Sequence, residues 1–533
     1  AKSYAKNGLA VAFDDIFTYT RASSATFTNR RAKTTGGYEY FLDTDYVGNV
    51  TNLANYSEDF TDADWAKTRC SIVANDAIAP DGTLSAEKMT ATNPDARLEQ
   101  LSGASGVAYT QSIWVKSASG STVACQLDFS GLNINAFTAT PEWQRFNTTH
   151  TELTQSGRVR LRITNSGDSV YIWGAQLTAS AKPLPYVKTL DVAVTKTFAE
   201  TLRTEYDAVT GENLGALIEG SGTNTMTYSE EISAWYAYNG GGLQTLNITD
   251  NYGLAPDNTM SASRLSGSLV DATSNSRIVI MQGPVTGSNI TLSFWVKSLN
   301  GNYDAKFHFK GVELGTVSMT SEWKRVSISG VAGGAPLGSF GIDLQGSFVS
   351  SLDFDFLMWG AQVEDKPFAT SYIRTDSSAV SRSSDSLSLP SAGNISGGDT
   401  SFYAKINVSD LPSGGSGLAR YFFESQGLSG FNIINIENNG LLRAYNGSVP
   451  LTIKADGDFA ASSEVAYTFS ASQNTISGYY NGGLTSSADV GLPFIPDFSG
   501  VVAMGSTTNF SHHIFGHISK FKTYAQALTA QEI

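Results

Sequence analysis

The chain has 533 residues, of which 41% are hydrophobic and only 16% charged, and its net charge is −14. This length exceeds a single hydrophobic core and predicts about three or four domains. The negative charge disfavours a nucleic-acid-binding protein, which needs a basic face, and it equally disfavours docking on an anionic membrane. The 51 glycines, together with many Ser, Thr and Asn residues, predict strands and turns rather than helices.

Cys70 and Cys125 are the two cysteines. A disulfide-built secreted domain or a thiolate zinc site would need more cysteines, so we expect two reduced thiols that pack inside the fold. No apolar run approaches the ~20 residues that span a bilayer. The first residues lack the apolar core of a signal peptide. We therefore expect synthesis in the cytoplasm and no membrane insertion.

The first 50 residues are too short and irregular for a complete sandwich, and we predict that residues 1–50 form an attachment segment. Residues 51–189 and 223–375 are two copies of one domain, here called module 1 and module 2. Five motifs recur in the same order in both copies: YSEDF at 56 and YSEEI at 228, APDGT at 79 and APDNT at 255, SIWVKS at 112 and SFWVKS at 293, TPEWQRF at 140 and TSEWKRV at 320, YIWGAQ at 171 and LMWGAQ at 357.

Alternating hydrophobicity within the copies predicts half-buried strands. In module 1 the apolar face of one such strand consists of Val159, Leu161 and Ile163. In module 2 a second strand has an apolar face formed by Leu352, Phe354, Phe356 and Met358. Short strands separated by Gly, Asn, Ser and Pro turns indicate an antiparallel sandwich of the jelly-roll type.

Two stretches between the modules have the composition of linkers. Residues 190–222 connect module 1 to module 2, and the Ser- and Gly-rich residues 376–396 follow module 2. Residues 397–533, called module 3, contain further short strands and predict a third antiparallel sandwich. The closing YAQALTAQEI predicts a short helix after the last strand. The predicted fold class is therefore all-β, with tandem antiparallel sandwiches.

Several of these motifs resemble a known pattern. FTYTRASSATFTN at 17, YDAVTGENLGALIEGSGTN at 206 and the repeated motifs resemble tailed-phage tail-fibre and other virion surface proteins. In that pattern a Thr-Arg-Ala-Ser segment leads into a carbohydrate-binding-module-like jelly roll. SGYYNGG at 477 and the C-terminal GHISKFKTYAQALTAQEI resemble a concanavalin A-like (laminin-G-like) lectin domain. The resemblance implies sugar recognition or structural display, usually by a trimer. Residues 1–50, which are short and irregular, are the candidate for docking to the virion.

Catalytic motifs do not stand out from the sequence. Asp353 and Asp355 share a strand face and lie close enough for glycoside hydrolysis, but a solvated strand face is the favoured interpretation. Asp81 and Asp257 follow prolines in turns that could hold a structural calcium ion, and plain Pro-Asp turns are favoured. We expect no cofactor.

Histidines cluster near the C-terminus, at His512, His513 and His517. His513 and His517 share strand parity but stand about 13 Å apart along an ideal strand, too far to bind one ion. We therefore predict a surface strand rather than a metal site.

Comparison of the two copies distinguishes residues expected to support the fold, which both copies share, from candidate functional residues, which only one copy has. Three tryptophan pairs recur and are expected to be core or sheet-packing residues: Trp114 and Trp295, Trp143 and Trp323, Trp173 and Trp359. Residues that only one copy has are the better candidates for contact with a glycan or a partner, with ordinary packing or a solvated face as the alternatives. These candidates are Tyr236, Tyr238, Arg158, Arg160 and Arg162. Module 3 adds Tyr445, Tyr479 and Tyr480.

We interpret the chain as a non-enzymatic phage virion protein of the tail-fibre or receptor-binding type that attaches to host surface glycan by weak, multivalent contacts. Expected partners are other virion proteins and host polysaccharide, with the chain in a homo-oligomer, by resemblance a trimer. One alternative is a capsid decoration or head-fibre protein whose role is structural. Another is a polysaccharide depolymerase, and a bacterial adhesin is disfavoured because no export signal is evident.

Overall fold

The computed structural model describes most of the chain, and the following concerns only that part. The described residues are 4–6, 9–11, 18–32, 38–150, 157–235, 243–269, 277–281, 290–309, 312–330, 339–343, 353–390, 399–408, 420–427, 430–436, 442–446, 449–454, 462–470, 475–489, 501–506, 513–524, 526–529 and 531–532. Their regular structure is antiparallel strand, apart from a 3-10 turn at Ile232–Ala234. The all-β fold class is confirmed.

Module 1 is a sandwich of two sheets with five strands each. In spatial order, the first sheet contains Leu132–Ala139, Val123–Phe129, Arg158–Ile163, Ala96–Leu101 and Ala66–Thr68. The second contains Gln144–His150, Tyr109–Ser117, Ser169–Thr178, Leu84–Ala91 and Cys70–Ile78. Apolar side chains from both sheets fill the space between them, including the predicted core residues Val159, Leu161 and Ile163.

Module 2 repeats this arrangement. Its first sheet contains Leu243–Gly253, Ala262–Leu269, Asp353–Glu364, Ile290–Ser298 and Lys324–Gly330. Its second sheet contains, among the described residues, Arg277–Met281, Ser339–Asp343, Tyr303–Phe309 and Val312–Met319. Phe354, Phe356 and Met358 lie in the core, as the alternating pattern predicted.

Module 3 contains two sheets with seven described strands each. One consists of Thr204–Tyr206, Asn213–Ile218, Gly516–Tyr524, Thr400–Val408, Ser462–Ser470, Thr475–Tyr480 and Gly483–Asp489. The other consists of Thr18–Thr20, Ser386–Pro390, Val501–Met504, Arg420–Gly427, Gly430–Ile436, Leu442–Asn446 and Val449–Lys454. Both sheets of module 3 include strands from outside residues 397–533, namely from residues 18–20, 204–218 and 386–390. We call module 3 and these added strands the base.

The base corrects the predicted linkers. Residues 204–206 and 213–218 lie in the stretch that we predicted as a linker, yet they form strands that extend the sheet containing Gly516–Tyr524. Likewise, Ser386–Pro390 lies in the predicted Ser-rich linker and pairs with Val501–Met504. Leu387 and Leu389 explain this because both side chains enter the core of the base. Two alternating leucines are enough for a short strand when the sheet already exists.

Modules 1 and 2 are therefore insertions in the base, and each has a two-stranded neck. Gly48–Asn52 pairs with Val194–Phe198 below module 1. Gly222–Asn224 pairs with Val380–Arg382 below module 2. The chain leaves and re-enters the base through paired strands, so the two ends of each inserted module lie side by side.

The N-terminal 50 residues do not form a separate body within the described part of the chain. Thr18–Thr20 joins the base, and the strands Ala25–Ala32 and Tyr38–Asp45 form a hairpin, called the 25–45 hairpin, that contacts module 2. The strands Tyr4–Lys6 and Leu9–Val11 pair with each other.

Three buried arginines hold the base together, and each comes from a different connecting segment. The side chains of Arg21, Arg203 and Arg382 are at most 1% exposed. Arg203 lies 2.5 Å from Asp385 and 3.0 Å from Glu219, and Arg21 lies 3.4 Å from Asp385. Although burial raises the pKa of Glu219, Arg382 and Arg203 lower it to about 2. Such a network is stable only when all its members are present, because an unpaired buried charge is costly.

This network also reaches module 2 and the 25–45 hairpin. Ser371, at the exit of module 2, donates its hydroxyl to Glu219, and Asp45 of the hairpin pairs with Arg21 at 2.5 Å. The network therefore couples the base to the inserted module and to the N-terminal segment.

The predicted C-terminal helix is wrong for the described residues. Gly516–Tyr524 is the expected strand, but residues 526–529 and 531–532 are not helical. Tertiary contacts replace the helix, since the Leu528 side chain is buried and its backbone N–H donates to Ser401 Oγ at 2.9 Å. Both cysteines are free thiols, and burial raises the pKa of each. Within the described residues, no helix is long and apolar enough to cross a membrane.

Candidate functional site: the outer faces of modules 1 and 2

The repeated W-G-A-Q motif is a structural element in both modules. Gly174 and Gly360 have φ angles of 64° and 66°, where a residue with a Cβ is strained. A Cβ at Gly174 would also stand 2.9 Å from the Trp114 ring, and one at Gly360 would stand 3.0 Å from the Trp295 ring. The glycine lets the strand bulge beneath a tryptophan, and the register shifts at this point in both copies.

An asparagine at the neck closes each module. Asn52 donates to the carbonyls of Ala175 and Val187, and its side-chain oxygen accepts from two backbone N–H groups. Asn224 makes the same four bonds in module 2. Both side chains are fully buried, so every polar atom of the amide is satisfied by the module's own backbone.

Each module carries an aromatic cluster on a sheet face that points away from the core. The cluster lies on the second sheet of module 1 and on the first sheet of module 2, as these sheets were described above. In module 1 the cluster is Trp114, Trp143, Trp173 and Tyr186, and in module 2 it is Trp295, Trp323, Trp359 and Tyr372. The Trp114 and Trp173 rings lie 5.3 Å apart, and the equivalent pair in module 2 has the same separation. The recurring tryptophans are thus packing residues, as the repeat predicted.

The two clusters differ in what covers them. Leu42 of the 25–45 hairpin packs into the cluster of module 2, and its N–H donates to Pro256 O at 2.9 Å. The cluster of module 1 contains only residues of module 1 among the described residues. Among the described residues, the cluster of module 1 therefore lacks a counterpart to Leu42.

A bulge beside each cluster places one variable residue on the outer face. Asn75 and Asn251 have φ angles of 51° and 55°, and the strand register breaks around them. Asn tolerates this left-handed conformation better than most residues. The next residue is Asp76 in module 1 and Tyr252 in module 2. Bulges often re-aim a side chain near a binding site.

In module 2 this position forms a group of three side chains. Tyr252 is 45% exposed, and the Arg264 guanidinium lies 4.7 Å from the centre of its ring. Arg264 donates to both carboxylate oxygens of Asp355, at 2.7 and 2.6 Å, and to the Tyr252 hydroxyl at 3.1 Å. The hydrogen bond to Asp355 raises the pKa of Arg264. The Arg264 guanidinium thus packs against the Tyr252 ring, while much of the tyrosine side chain remains exposed to solvent.

In module 1 the equivalent surface has different chemistry. The Lys116 ammonium lies 5.0 Å from the centre of the Trp143 ring and 5.4 Å from that of Tyr171. Burial lowers the pKa of Lys116, whereas Glu142 raises it. Burial and the neighbouring Asp76 carboxylate raise the pKa of the Tyr171 hydroxyl. Tyr171 occupies the position of Leu357 in module 2.

Of the predicted site residues, the three arginines of module 1 find their partners inside the module. Arg158 lies 3.2 Å from Glu99, Arg160 lies 3.2 Å from Asp128, and Arg162 bonds to both Asp95 and Asp128. Acids on or beside the adjacent strands pair with these guanidinium groups, and contact with an external acid stays a prediction. The alternation of polar and apolar residues in the sequence placed the three arginines on one strand face. It did not show which strands lie beside that strand and supply the acidic partners.

The predicted tyrosines give a mixed outcome. Tyr236 and Tyr238 lie outside the described residues, and for Tyr445 only the strand that contains it is described. Tyr479 points away from the core, but the C-terminal segment covers it, and its hydroxyl donates to Leu528 O at 3.4 Å. Tyr480 packs against the core of the base and contacts Ser463 at 2.9 Å. Neither ring of the adjacent pair stands free as a rim residue.

The histidines do not lie on a surface strand as predicted. His513 Nε2 lies 2.8 Å from Asp385 O, and His517 Nε2 lies 2.7 Å from Glu205 Oε2. Both are buried because segments 204–218 and 383–390 cover them. His512 lies outside the described residues.

Asp355 and the two Pro-Asp turns take part in local hydrogen bonds. Asp355 is held by Arg264, so it is not poised as a free catalytic carboxylate. Asp81 Oδ1 accepts from Thr83, and Asp257 Oδ1 accepts from Thr259, through both the backbone N–H and the hydroxyl. Within the described part of the chain, no group of three or more His, Cys, Asp or Glu side chains could hold a metal ion.

Sequence reasoning missed the Tyr252, Arg264 and Asp355 group. The signal that could have found it is the alignment of the copies through APDGT and APDNT, which sets Tyr252 against Asp76 and Arg264 against Lys88. The bulge that turns residue 252 outward is not visible in the pattern of hydrophobic residues.

Comparison with known proteins gives no family. No protein-family profile and no curated protein matches the chain. Among solved structures, the chain is similar to the CBM22-1–CBM22-2 tandem domain of Xyn10C from Paenibacillus barcinonensis, with 14% identity, 60% of this chain and 97% of that chain covered, and a TM-score of 0.21.

Two further solved structures are similar over about half of the chain. A proposed carbohydrate binding protein from Bacteroides ovatus is 13% identical, with 49% of this chain and 79% of that chain covered and a TM-score of 0.21. Oxalate decarboxylase from Bacillus subtilis is 7% identical, with 56% and 74% covered and a TM-score of 0.13. Similarities this low assign no function to the chain.

Proposed function

We propose that this chain is a non-enzymatic phage virion protein, of the tail-fibre or receptor-binding type, that attaches to glycan on the host surface. In this proposal it is made in the host cytoplasm, sits on the exterior of the virion as a homo-oligomer, and contacts other virion proteins through its N-terminal segment. The motifs between residues 17 and 382 that resemble virion surface proteins support this role.

The observation that carries the glycan proposal is the Tyr252, Arg264 and Asp355 group. The apolar face of a sugar packs on an aromatic ring, while its hydroxyls need donors and acceptors around the ring. Tyr252 offers an exposed ring, and Arg264 and Asp355 offer polar atoms in a fixed geometry. Because Arg264 holds the ring from behind, little side-chain entropy is lost when a ligand binds.

A direct test compares wild type with Tyr252→Asp on an array of bacterial surface polysaccharides. Aspartate is the residue of module 1 at the equivalent position, so the bulge accepts it. We expect affinity for the bound glycan to fall about tenfold or more, as for a central aromatic contact. Leu484→Ser in module 3, where the leucine is 54% exposed, is the matched control and should bind as wild type.

Two results would contradict the proposal. The first is that no module binds any polysaccharide or host cell. The second is release of reducing ends from a bound polysaccharide, which would indicate a depolymerase.

A structural role is the second candidate, as a capsid decoration or head-fibre protein. The observation in its favour is the buried arginine network, which couples the base to module 2 and to the 25–45 hairpin. A rigid coupling suits permanent display on a particle. Localisation of the chain on intact virions, together with host-cell binding by the purified protein, separates the two candidates.

A further inference from the structure

Three arginines surround Asp95 on the outer face of the first sheet of module 1, and they are called the surface arginine group below. Arg97 and Arg162 come from neighbouring strands, and Arg69 follows the edge strand Ala66–Thr68. Arg97 lies 2.5 Å and Arg69 4.0 Å from Asp95. Arg162 donates to the same carboxylate at 2.7 Å. The side chains of Arg69, Arg97 and Arg162 are 53%, 35% and 23% exposed, so a ligand in solvent can reach them.

This face has more positive than negative groups. In the described part of the chain, its ion pairs connect five arginines with only three carboxylates: Arg69, Arg97, Arg158, Arg160 and Arg162 with Asp95, Glu99 and Asp128. Although burial raises the pKa of Asp95, hydrogen bonds from Arg97 and Arg162 lower it below its ordinary value, so this carboxylate is ionised at neutral pH. The whole chain has a net charge of −14, so the excess of positive charge is local to this face.

The pairing of the strands sets two members of the group directly opposite each other. Arg97 is the cross-strand partner of Arg162. The two equivalent strands of module 2 pair Arg277 with Asp343 instead. Like charges directly opposite each other destabilise a sheet, whereas opposite charges stabilise it. Module 1 therefore has two like charges at a position where the same fold accepts a pair of opposite charges.

The backbone on either side of the group is strained. Arg69 and Asp95 both have a φ angle of 59°, a left-handed conformation that is uncommon for arginine. Two hydrogen bonds hold this geometry: Thr92 N donates to Arg69 O at 2.8 Å, and Arg69 Nη1 donates to Pro94 O at 3.2 Å. Backbone strain of this kind concentrates at positions that bind ligands.

We propose that the surface arginine group binds a carboxylate of an acidic polysaccharide. A guanidinium group donates two parallel hydrogen bonds to a carboxylate, and Arg69 and Arg97 are its most exposed members. Thr68 lies opposite Arg97 and Gln126 lies opposite Arg162 on the flanking strands, where a hydroxyl and an amide meet the sugar hydroxyls. The inference rests on the proposed function, because it names the class of glycan and adds a second site in module 1.

Binding to polygalacturonate tests this inference, since that polymer has a carboxylate on each sugar. The fully methyl-esterified polymer has the same backbone without the charge and is the control ligand. Wild type should bind polygalacturonate at least about tenfold more tightly than the ester, and added salt should weaken the binding. Arg97→Gln should lose about tenfold in affinity. Lys520→Gln changes an exposed lysine of the base and removes the same charge, so it should bind as wild type.

Thermal unfolding separates ligand binding from a structural role of Arg97. Arg97→Gln removes the like-charge pair and leaves Asp95 bonded to Arg162, so its unfolding temperature should not fall. A lower unfolding temperature with unchanged affinity would overturn the inference. So would no binding of polygalacturonate by wild type, equal binding of the two polymers, or an equal loss in Lys520→Gln.

The polysaccharide array distinguishes this inference from the proposed function. Arg97→Gln and Tyr252→Asp are compared there on the same polymers. Binding that depends on Tyr252 and not on Arg97 would leave the proposed function intact and overturn the acidic site. Loss of binding to acidic polymers in Arg97→Gln, with binding of neutral polymers unchanged, would support it.

Discussion

Modules 1 and 2 have the same frame and different outer surfaces. The neck asparagine, the bulging glycine and the stacked tryptophans make equivalent contacts in both modules. The surfaces differ: Leu42 of the 25–45 hairpin packs into the cluster of module 2, whereas the cluster of module 1 has no such neighbour among the described residues. Residues shared by the copies therefore report on folding, whereas residues that differ determine the chemistry of each module's surface.

The largest expected effect is a loss of stability on replacing the neck asparagines. It tests whether these asparagines stabilise the two modules equally. Asn52→Ala and Asn224→Ala each leave two backbone N–H and two carbonyl groups without their buried partner. One unsatisfied buried group costs about 1–3 kcal/mol, so each variant should lose more than about 3 kcal/mol of unfolding free energy in its own module. Chemical denaturation, monitored by hydrogen exchange in each module, measures the loss of unfolding free energy. A severe effect in one module with none in the other would break the comparison.

A smaller effect concerns a position where the frames differ. Glu87 Oε2 accepts from Phe60 N in module 1, and Ser263 Oγ accepts from Ile232 N in module 2. Burial raises the pKa of Glu87 to about 7. A carboxyl with a raised pKa binds its proton more tightly in the folded state, so the contribution of Glu87 to stability is fully present below pH 4.5 and is lost as the pH rises toward 7.

Glu87→Gln should remove this pH dependence from module 1. The wild type should lose this contribution between these pH values, and the variant should not, because glutamine does not titrate. Hydrogen exchange of module 1 in the wild type and in the variant, at several pH values, checks the prediction. Equal pH profiles for wild type and variant would contradict it.

The smallest effect tests the cover on module 2. Leu42→Ala removes a half-buried side chain from the aromatic cluster and should cost about 1–2 kcal/mol, less than for a fully buried leucine. Protection of the module 2 cluster against proteolysis should fall, while module 1 should not change. An equal loss in both modules would show that the hairpin acts through the whole chain and not on module 2 alone.

The repeat made much of the fold predictable. Alternating residues such as Val159 and Phe354 identified strands, and the shared motifs placed the two sandwiches. The base was not predictable because its strands, such as Ser386–Pro390, are short and their partners are far away in sequence. The buried Arg203 was missed for a related reason: a charged side chain indicates exposure unless its partners are known, and they come from two distant segments.

The candidate site was predictable in principle and not in detail. Differences between the copies directed attention to single-copy residues, and that principle also selects Tyr252. Among the described candidates, Arg160 pairs with Asp128 and Glu99 on neighbouring strands, and the C-terminal segment covers Tyr479. Exposure and pairing are properties of the folded chain that sequence alternation does not contain.

The most direct test of glycan binding by the outer faces is hydroxyl-radical footprinting with and without a saturating bound polysaccharide. Partly exposed tyrosine rings react readily with hydroxyl radicals, so a bound ligand that covers such a ring lowers its modification. The proposal predicts strong protection at Tyr252, weaker protection at Tyr171, and no change at the exposed tip of the base around Val209. Protection confined to module 3, or no protection of Tyr252 at saturation, would contradict it.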